Sequence, residues 1–402
     1  MTVRLLDATR RALGAVRTVT KRLKRIPFLT NVFNRENGGE GPRALLVYLV
    51  ESFLLPPDHP RFMDHQNLKQ CFQIASVLHG AGFIVDVLDL TDRRNRPGTA
   101  YDLIISHRVD FGDGWRDFAA STNIYLATGM NHRIHNRNHS ERHKRLLARR
   151  NCSTVPRTQN SEHMPFVQAV DGIAGFGNSV TAGSWKAERN VPLFAFNNYG
   201  SDKSWRADND KDFETARRSF LFLASRNQIG KGLDLLLEIF PRHPELRLFV
   251  CSAFAFEKEF SRCYEKELFH TPNIQAVGMV RVDSDRYRSI IGQCAYVVLP
   301  TCAEGQPGSV VHGMHSGLVP LVTREAGIDT DDFGIMFTDD SLEAIERLII
   351  DSATKDPGWV REKSRRTHEV AVGRYSEESF VNRWRDIIRE VSLLRVKREV
   401  SR

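Results

Sequence analysis

Two short stretches of this 402-residue chain carry side chains suited to handling a diphosphate. The first is Ser225-Arg226-Asn227-Gln228-Ile229-Gly230-Lys231-Gly232, which follows an apolar run expected to be a strand and opens a helical one. Arg226 and Lys231 leave the strand end in one loop, where a planar guanidinium and a compact ammonium can converge on one diphosphate. Fixed cations there stabilise the charge that builds on a departing phosphate oxygen, without a metal. The second stretch, Leu299-Pro300-Thr301-Cys302-Ala303-Glu304-Gly305-Gln306-Pro307-Gly308-Ser309, takes a buried strand into a glycine-bearing acidic loop and then a helix N-terminus. Backbone N–H groups around Gly305, Gln306, Gly308 and Ser309 can point at an anion, and glycine lets a ligand approach the backbone. Glu304 can accept hydrogen bonds from sugar hydroxyls and balance positive charge at an anomeric carbon. Taken singly, each stretch also fits an ordinary strand–helix turn with exposed charges.

Other candidates are weaker. Thr128-Gly129-Met130-Asn131-His132 follows an expected strand and places His132 at a carboxyl strand end, where it is either a sugar or acceptor contact or a plain loop histidine. Asp64, His65 and Asn67 precede the first expected helix and are candidates on the acceptor side. Residues 133 to 150 gather Arg133, Arg137, Arg142, Lys144, Arg145, Arg149 and Arg150 with histidines among them. Such a run can meet an anionic acceptor or a membrane surface, and its default reading is a solvated helix face.

These residues need elements to hold them. From Arg43 the chain alternates short β-branched runs with helical stretches: strands at 44–50, 83–88, 102–106, 123–127, 171–176 and 192–196, with a helix at 67–81. After a polar connection at 197–212 the alternation resumes with strands at 219–224, 246–252, 274–277, 295–299 and 319–323. Helices are expected between them at 231–240, 256–268, 283–293 and 308–316. Alternation of this kind implies parallel crossovers, an α/β class and two doubly wound units, which bind ligands at the carboxyl ends of their strands. The expected domains are a basic extension and linker (1–42), a first doubly wound domain (43–200), a second one carrying both diphosphate-handling stretches (201–375) and a C-terminal helix (376–402) packing back towards the N-terminal domain.

Composition excludes several classes. An apolar fraction of 41% with 26% charged residues is that of an ordinary folded protein. Nine of the Lys and Arg residues lie within 1–40 against three acids, so that segment holds +6 of the net +8. The near-neutral remainder argues against nucleic acid as a partner. Within the extension, Leu5, Leu6, Ala12, Leu13, Val16, Val19, Leu23 and Ile26 recur at helical spacing between cations, the pattern of an amphipathic helix lying on an anionic membrane surface through residues 1–28. The longest apolar run, 44–55, is too short to span a bilayer. The six cysteines lack a C-x-x-C pair and any zinc-like spacing, which reads as reduced thiols in a cytoplasmic protein with no metal site.

The order of the two diphosphate-handling stretches, about seventy residues apart, resembles the C-terminal domain of GT-B glycosyltransferases, particularly the retaining family 4 (glycosyl transferases group 1). In that family an Arg-x4-Lys-Gly segment grips the donor diphosphate, and a Glu-x7-Glu segment holds sugar and ribose. Arg226 and Lys231 match the first element, Glu304 the first glutamate of the second, and Gly317-Leu318-Val319-Pro320-Leu321-Val322 the strand entry that follows. The likeness is good over residues 218 to 330 and architectural in the N-terminal half. His132 is similar to a cleft histidine of some members. His312 stands where the family has its second glutamate, and imidazole offers one acceptor where a carboxylate offers several.

The resemblance implies two Rossmann-like domains facing across a cleft. It also implies metal-independent transfer of a hexose, with retention, from a nucleoside diphosphate sugar to a glycan or lipid-linked acceptor in bacterial surface polysaccharide synthesis. Arg226, Lys231, Glu304 and His132 would do the chemistry, Gly305, Gln306, Gly308, Ser309 and His312 would line the donor pocket, and no cofactor beyond the co-substrate is implied. The site of action would be cytoplasmic, peripheral on the inner face of the membrane. Two alternatives stay open: a catalytically silent scaffold binding glycan or partner proteins, and a nucleotide-sugar epimerase or hydrolase.

Overall fold

A computed structural model describes residues 27–34, 41–95, 99–111, 121–200 and 211–400. Its strands are β1 (Arg43–Tyr48), β2 (Ile84–Asp89), β3 (Leu103–Ser106), β4 (Thr122–Ala127), β5 (Gly172–Phe176), β6 (Leu193–Phe196), β7 (Ser219–Leu223), β8 (Arg247–Cys251), β9 (Ile274–Ala276), β10 (Tyr296–Leu299), β11 (Val319–Val322) and β12 (Ile335–Met336). They form two six-stranded sheets, ordered β2-β1-β3-β4-β5-β6 and β12-β11-β10-β7-β8-β9. The longer helices are α1 (Gln66–Gly80), α2 (His132–Arg150), α3 (Leu233–Ile239), α4 (Lys258–Cys263), α5 (Glu265–His270), α6 (Asp285–Gln293), α7 (Gly308–His315), α8 (Leu342–Thr354), α9 (Pro357–Arg374) and α10 (Glu377–Val400).

Every strand expected from the sequence is present, with ends shifted by a residue or two, because strands buried on both faces read as continuous apolar runs. β12 was not expected, since two residues carry no period. The helix expected at 256–268 is two helices, α4 and α5, interrupted at Tyr264, which is fully buried with its hydroxyl donating to Glu238 at 2.6 Å. Pro320 sits inside β11 without loss. Val319 N donates to Ala295 O, so alternation turns the missing N–H of Pro320 towards β12, whose pairing begins only at Leu321.

The chain divides into two compact units, Met1–Ser106 with Gly112–Ser121, and His107–Phe111 with Thr122–Arg402. In the first, β1 pairs in parallel with β2 and β3. The buried Asp86 gathers Arg43 Nη2 at 2.8 Å, the Tyr101 hydroxyl at 2.7 Å and Asn31 N at 2.8 Å. Leu29 makes an antiparallel bridge to Val87, while the basic helix expected at 1–28 lies almost wholly outside the described residues. In the second unit, Phe380 and Trp384 of α10 pack on Phe196 of β6, and the Phe220 and Tyr296 rings stack at 5.0 Å in the core of the second sheet.

Two expectations are corrected. The basic run at 133–150 is a solvated face only in part: Arg133, Arg137 and Lys144 are exposed, while acids distant in sequence meet the others. Arg142 is fully buried and donates to Pro300 O and Asp340, Arg149 pairs with Asp234 and Glu238, and Arg150 pairs with Glu267. Asp340 is desolvated, yet the guanidiniums of Arg145 and Arg142 pull it down to about 2. Nor are all six cysteines reduced, since Cys152 and Cys263 form a disulfide. Arg150, held by Glu267 and lying 4.6 Å over the Tyr264 ring, brings the chain two residues later to Cys263. Cys71, Cys251, Cys294 and Cys302 remain buried thiols.

Candidate functional site

The site is built within the second unit, at the carboxyl ends of β7 and β10. After β7 the chain turns through Asn227, which holds a left-handed φ of 75°, and Gly232 at φ 82°, before α3 begins. Gly232 is required there, because a Cβ would stand 2.4 Å from Pro300 O. Glu257 accepts the backbone N–H groups of Asn227 and Gln228. Gly230 O accepts from Cys302 N at 2.8 Å and from the Thr301 hydroxyl at 3.0 Å. The loop after β7 and the loop after β10 are thus fastened to each other.

That fastening aligns Lys231 and Glu304, 73 residues apart, and their side chains form an ion pair in which both are largely shielded from water. The Glu304 backbone is fixed on both sides, its N–H donating to Glu325 O and its carbonyl accepting from Met130 N, each at 3.1 Å. Gly305 lies so close to the loop after β4 that a Cβ would be 2.3 Å from Thr128 O. α7 starts at Gly308 with no side-chain cap, and Gly308 and Ser309 in its first turn are partly exposed. Its leading amides are therefore available to an anion.

Of the other expected residues, Arg226 is exposed, with its guanidinium 5.6 Å from the Phe256 ring centroid and away from the Lys231–Glu304 pair in its contacts. Gln306 is buried and committed to framing. Its Nε2 donates to Asn197 Oδ1 and Gly327 O, and its Oε1 accepts Asn198 N at 2.6 Å. His312 lies one turn into α7, half-buried. Asp64, His65 and Asn67 belong to the first compact unit.

His132 is the first residue of α2, with Asn131 as the cap accepting Arg133 N at 2.9 Å. Its Nδ1 meets Asn160 O at 2.5 Å and its ring stands edge-on to Trp185 at 5.0 Å. Burial lowers its pKa, opposed by the Asn160 carbonyl and Glu188. A neutral ring that donates from Nδ1 leaves Nε2 as an acceptor for a hydroxyl.

Two histidines escaped sequence reading. His135 and His139, one turn apart on α2, have ring centroids 4.1 Å apart, and His139 lies against Gly230, where a Cβ would be 2.2 Å from its Cε1. Burial, then Arg157 beside His135 and the neighbouring imidazoles His135 and His143 beside His139, pushes their pKa values down to about 4 and about 3. The i, i+4 spacing was visible; their burial against a loop 91 residues downstream was not. Among the described residues no group of three or more His, Cys, Asp or Glu side chains is placed to hold a metal ion, and no helix is long and apolar enough to cross a membrane.

The sequence matches no protein-family model and no curated protein. Solved structures do match in fold. Sucrose-phosphate synthase from Thermosynechococcus elongatus aligns at TM-score 0.59 and 11% identity, over 88% of this chain and all of that one. Anabaena HepE, in complex with UDP and glucose, aligns at 0.54 and 12%, again over 88% and 100%. A TarM variant of S. aureus, in complex with UDP, alpha-GlcNAc-glycerol and fondaparinux, aligns at 0.50 and 14% over 70% of this chain, which spans only 54% of TarM's length. With its two doubly wound parallel sheets, this chain has the GT-B fold of these glycosyltransferases.

Proposed function

We propose that the chain is a glycosyltransferase that moves a hexose from a nucleoside diphosphate sugar to a glycan or lipid-linked acceptor, without a metal and with retention. The observation that carries this is the shielded Lys231–Glu304 pair at the junction of the two loops, beside the uncapped start of α7. A donor diphosphate would draw Lys231 off Glu304 and lie against the α7 amides, with Arg226 closing on it from the loop. The freed Glu304 would then accept hydroxyls of the sugar. Negative charge on the departing diphosphate is then met by the fixed α7 amides and by the two cations brought onto it, which lowers the barrier to its departure. UDP is the first nucleotide to test, because HepE and TarM hold it on the same fold.

The acceptor belongs to surface polysaccharide synthesis in this reading, and the basic residues of 1–28 would seat the enzyme on an anionic membrane face. Binding to anionic but not neutral vesicles, lost when residues 1–28 are removed, supports that part. For the reaction itself, the purified chain is incubated with a panel of nucleotide sugars and slow hydrolysis is followed. Release of one nucleoside diphosphate, reduced about 10²-fold in Lys231→Ala and quickened by an added glycan acceptor, supports the proposal over a hydrolase. No release and no nucleotide binding across the panel contradicts it.

A further inference from the structure

Beside the donor loop lies a cavity of about 720 Å³, within the size range of small-molecule sites. Among its lining residues are Thr154, Arg157, Arg226, Phe256, Glu257 and Glu259, whereas Lys231, Glu304, Gly305 and Gly308 are not. Asn227 and Ile229 of the loop that carries Lys231 also line it, so the cavity shares that loop with the Lys231–Glu304 pair without including the pair.

The segment carrying Arg157 is fastened on both sides. Cys152 is cross-linked to Cys263, Thr154 Oγ1 bonds His143 Nδ1 at 2.8 Å, and Gln159 exchanges backbone hydrogen bonds with the Asn136 amide at 2.8 and 2.9 Å. Arg157 itself is exposed, and among the described residues no carboxylate lies within ion-pair distance of it. A guanidinium held at a cavity wall without a counter-ion suits an anionic ligand, which it can grip with two parallel N–H groups. Of the two carboxylates at the cavity, Glu257 is turned to the backbone amides of Asn227 and Gln228, while Glu259 is exposed on α4. Phe256, 36% exposed, offers an apolar face. Nearby His135 and His139 are kept neutral by burial, so the positive charge on this side comes from the arginines.

We infer that this cavity takes the acceptor, and that the acceptor is a sugar bearing a phosphate or carboxylate, gripped by Arg157 while Phe256 covers the ring's apolar face. The inference rests on the donor reading above, with Arg226 serving the diphosphate and Arg157 the second substrate.

The test is calorimetry on the full chain, first with UDP and then, with UDP saturating, with glucose 6-phosphate, glucuronate and glucose, in the wild type, Arg157→Ala and Arg157→Lys. At least one anionic sugar is expected to bind about tenfold or more tighter than glucose, with an advantage that shrinks as salt is raised. Arg157→Ala removes the advantage, Arg157→Lys restores part of it, and UDP affinity stays within about twofold in both. Which anionic sugar binds better tells phosphate from carboxylate. Equal binding of all three sugars by the wild type, or a loss of UDP affinity in place of sugar affinity in Arg157→Ala, overturns the inference. If UDP does not bind the wild type, the donor reading fails by itself, and the same sugar titrations without UDP decide whether the cavity selects anions through Arg157.

Discussion

Lys231 and Glu304 neutralise each other as an ion pair, and this makes their substitutions act differently. Lys231→Ala removes the cation that meets the leaving diphosphate, so both UDP affinity and turnover fall, turnover by about 10²-fold or more. Glu304→Gln removes a carboxylate that competes with the diphosphate for Lys231. UDP binding is then expected to tighten severalfold while transfer drops, and steady-state kinetics beside a UDP titration check the split. Parallel losses in both quantities for Glu304→Gln would mean that the pair only supports the loops. That both side chains stand in loops at strand ends was legible, because each follows an apolar run in a stretch containing glycine. Gln306 was not correctly legible as a framing residue, since Asn197 and Asn198, which hold its amide, lie more than a hundred positions upstream.

Among the elements, the loops after β4, β7 and β10 touch at glycines, and the contacts are with backbone where they cannot yield. Gly305→Ala would place a Cβ 2.3 Å from Thr128 O, so the loop carrying Glu304 must move. A loss of about 1–3 kcal/mol in chemical denaturation, with transfer reduced further than stability, is expected. At Gly230 the obstruction is the buried ring of His139, and Gly230→Ala should show a similar cost. Helix α2 was visible as a charge run but not as a packed element, because the pattern of one segment cannot show that Asp234, Glu238, Glu267 and Asp340 await it. The disulfide was hidden for the same reason, 111 residues separating its halves. Thiol titration of the denatured, non-reduced chain should find four free thiols among six cysteines, and Cys152→Ser should cost about 2–5 kcal/mol. Six free thiols would contradict the cross-link.

For the molecule as a whole, the buried histidines of α2 set a pH dependence. In the folded chain His135 and His139 resist protonation down to about 4 and about 3, against an ordinary value of 6.5. Between 6.5 and those values the unfolded chain binds more protons than the folded one, so stability is full above 6.5 and falls as the pH drops through that window. Thermal melts should lose several degrees between about pH 7 and about pH 5, above the carboxylate range, and lose less in His139→Leu. A melting temperature flat across that interval would contradict the burial of these rings. At this scale the alternation of apolar runs and helices made both sheets legible, since a parallel strand covered on both faces announces itself in composition. The order of strands and the partners of α2 depend on contacts between distant segments, which no local pattern encodes.

The account's central claim is that a donor diphosphate takes Lys231 away from Glu304 at the start of α7. A crystal structure of the chain soaked with UDP tests it most directly. The predicted result is a diphosphate bonded to Lys231 Nζ and the leading amides of α7, with Glu304 turned free. UDP bound elsewhere, with the Lys231–Glu304 pair intact, would contradict the claim.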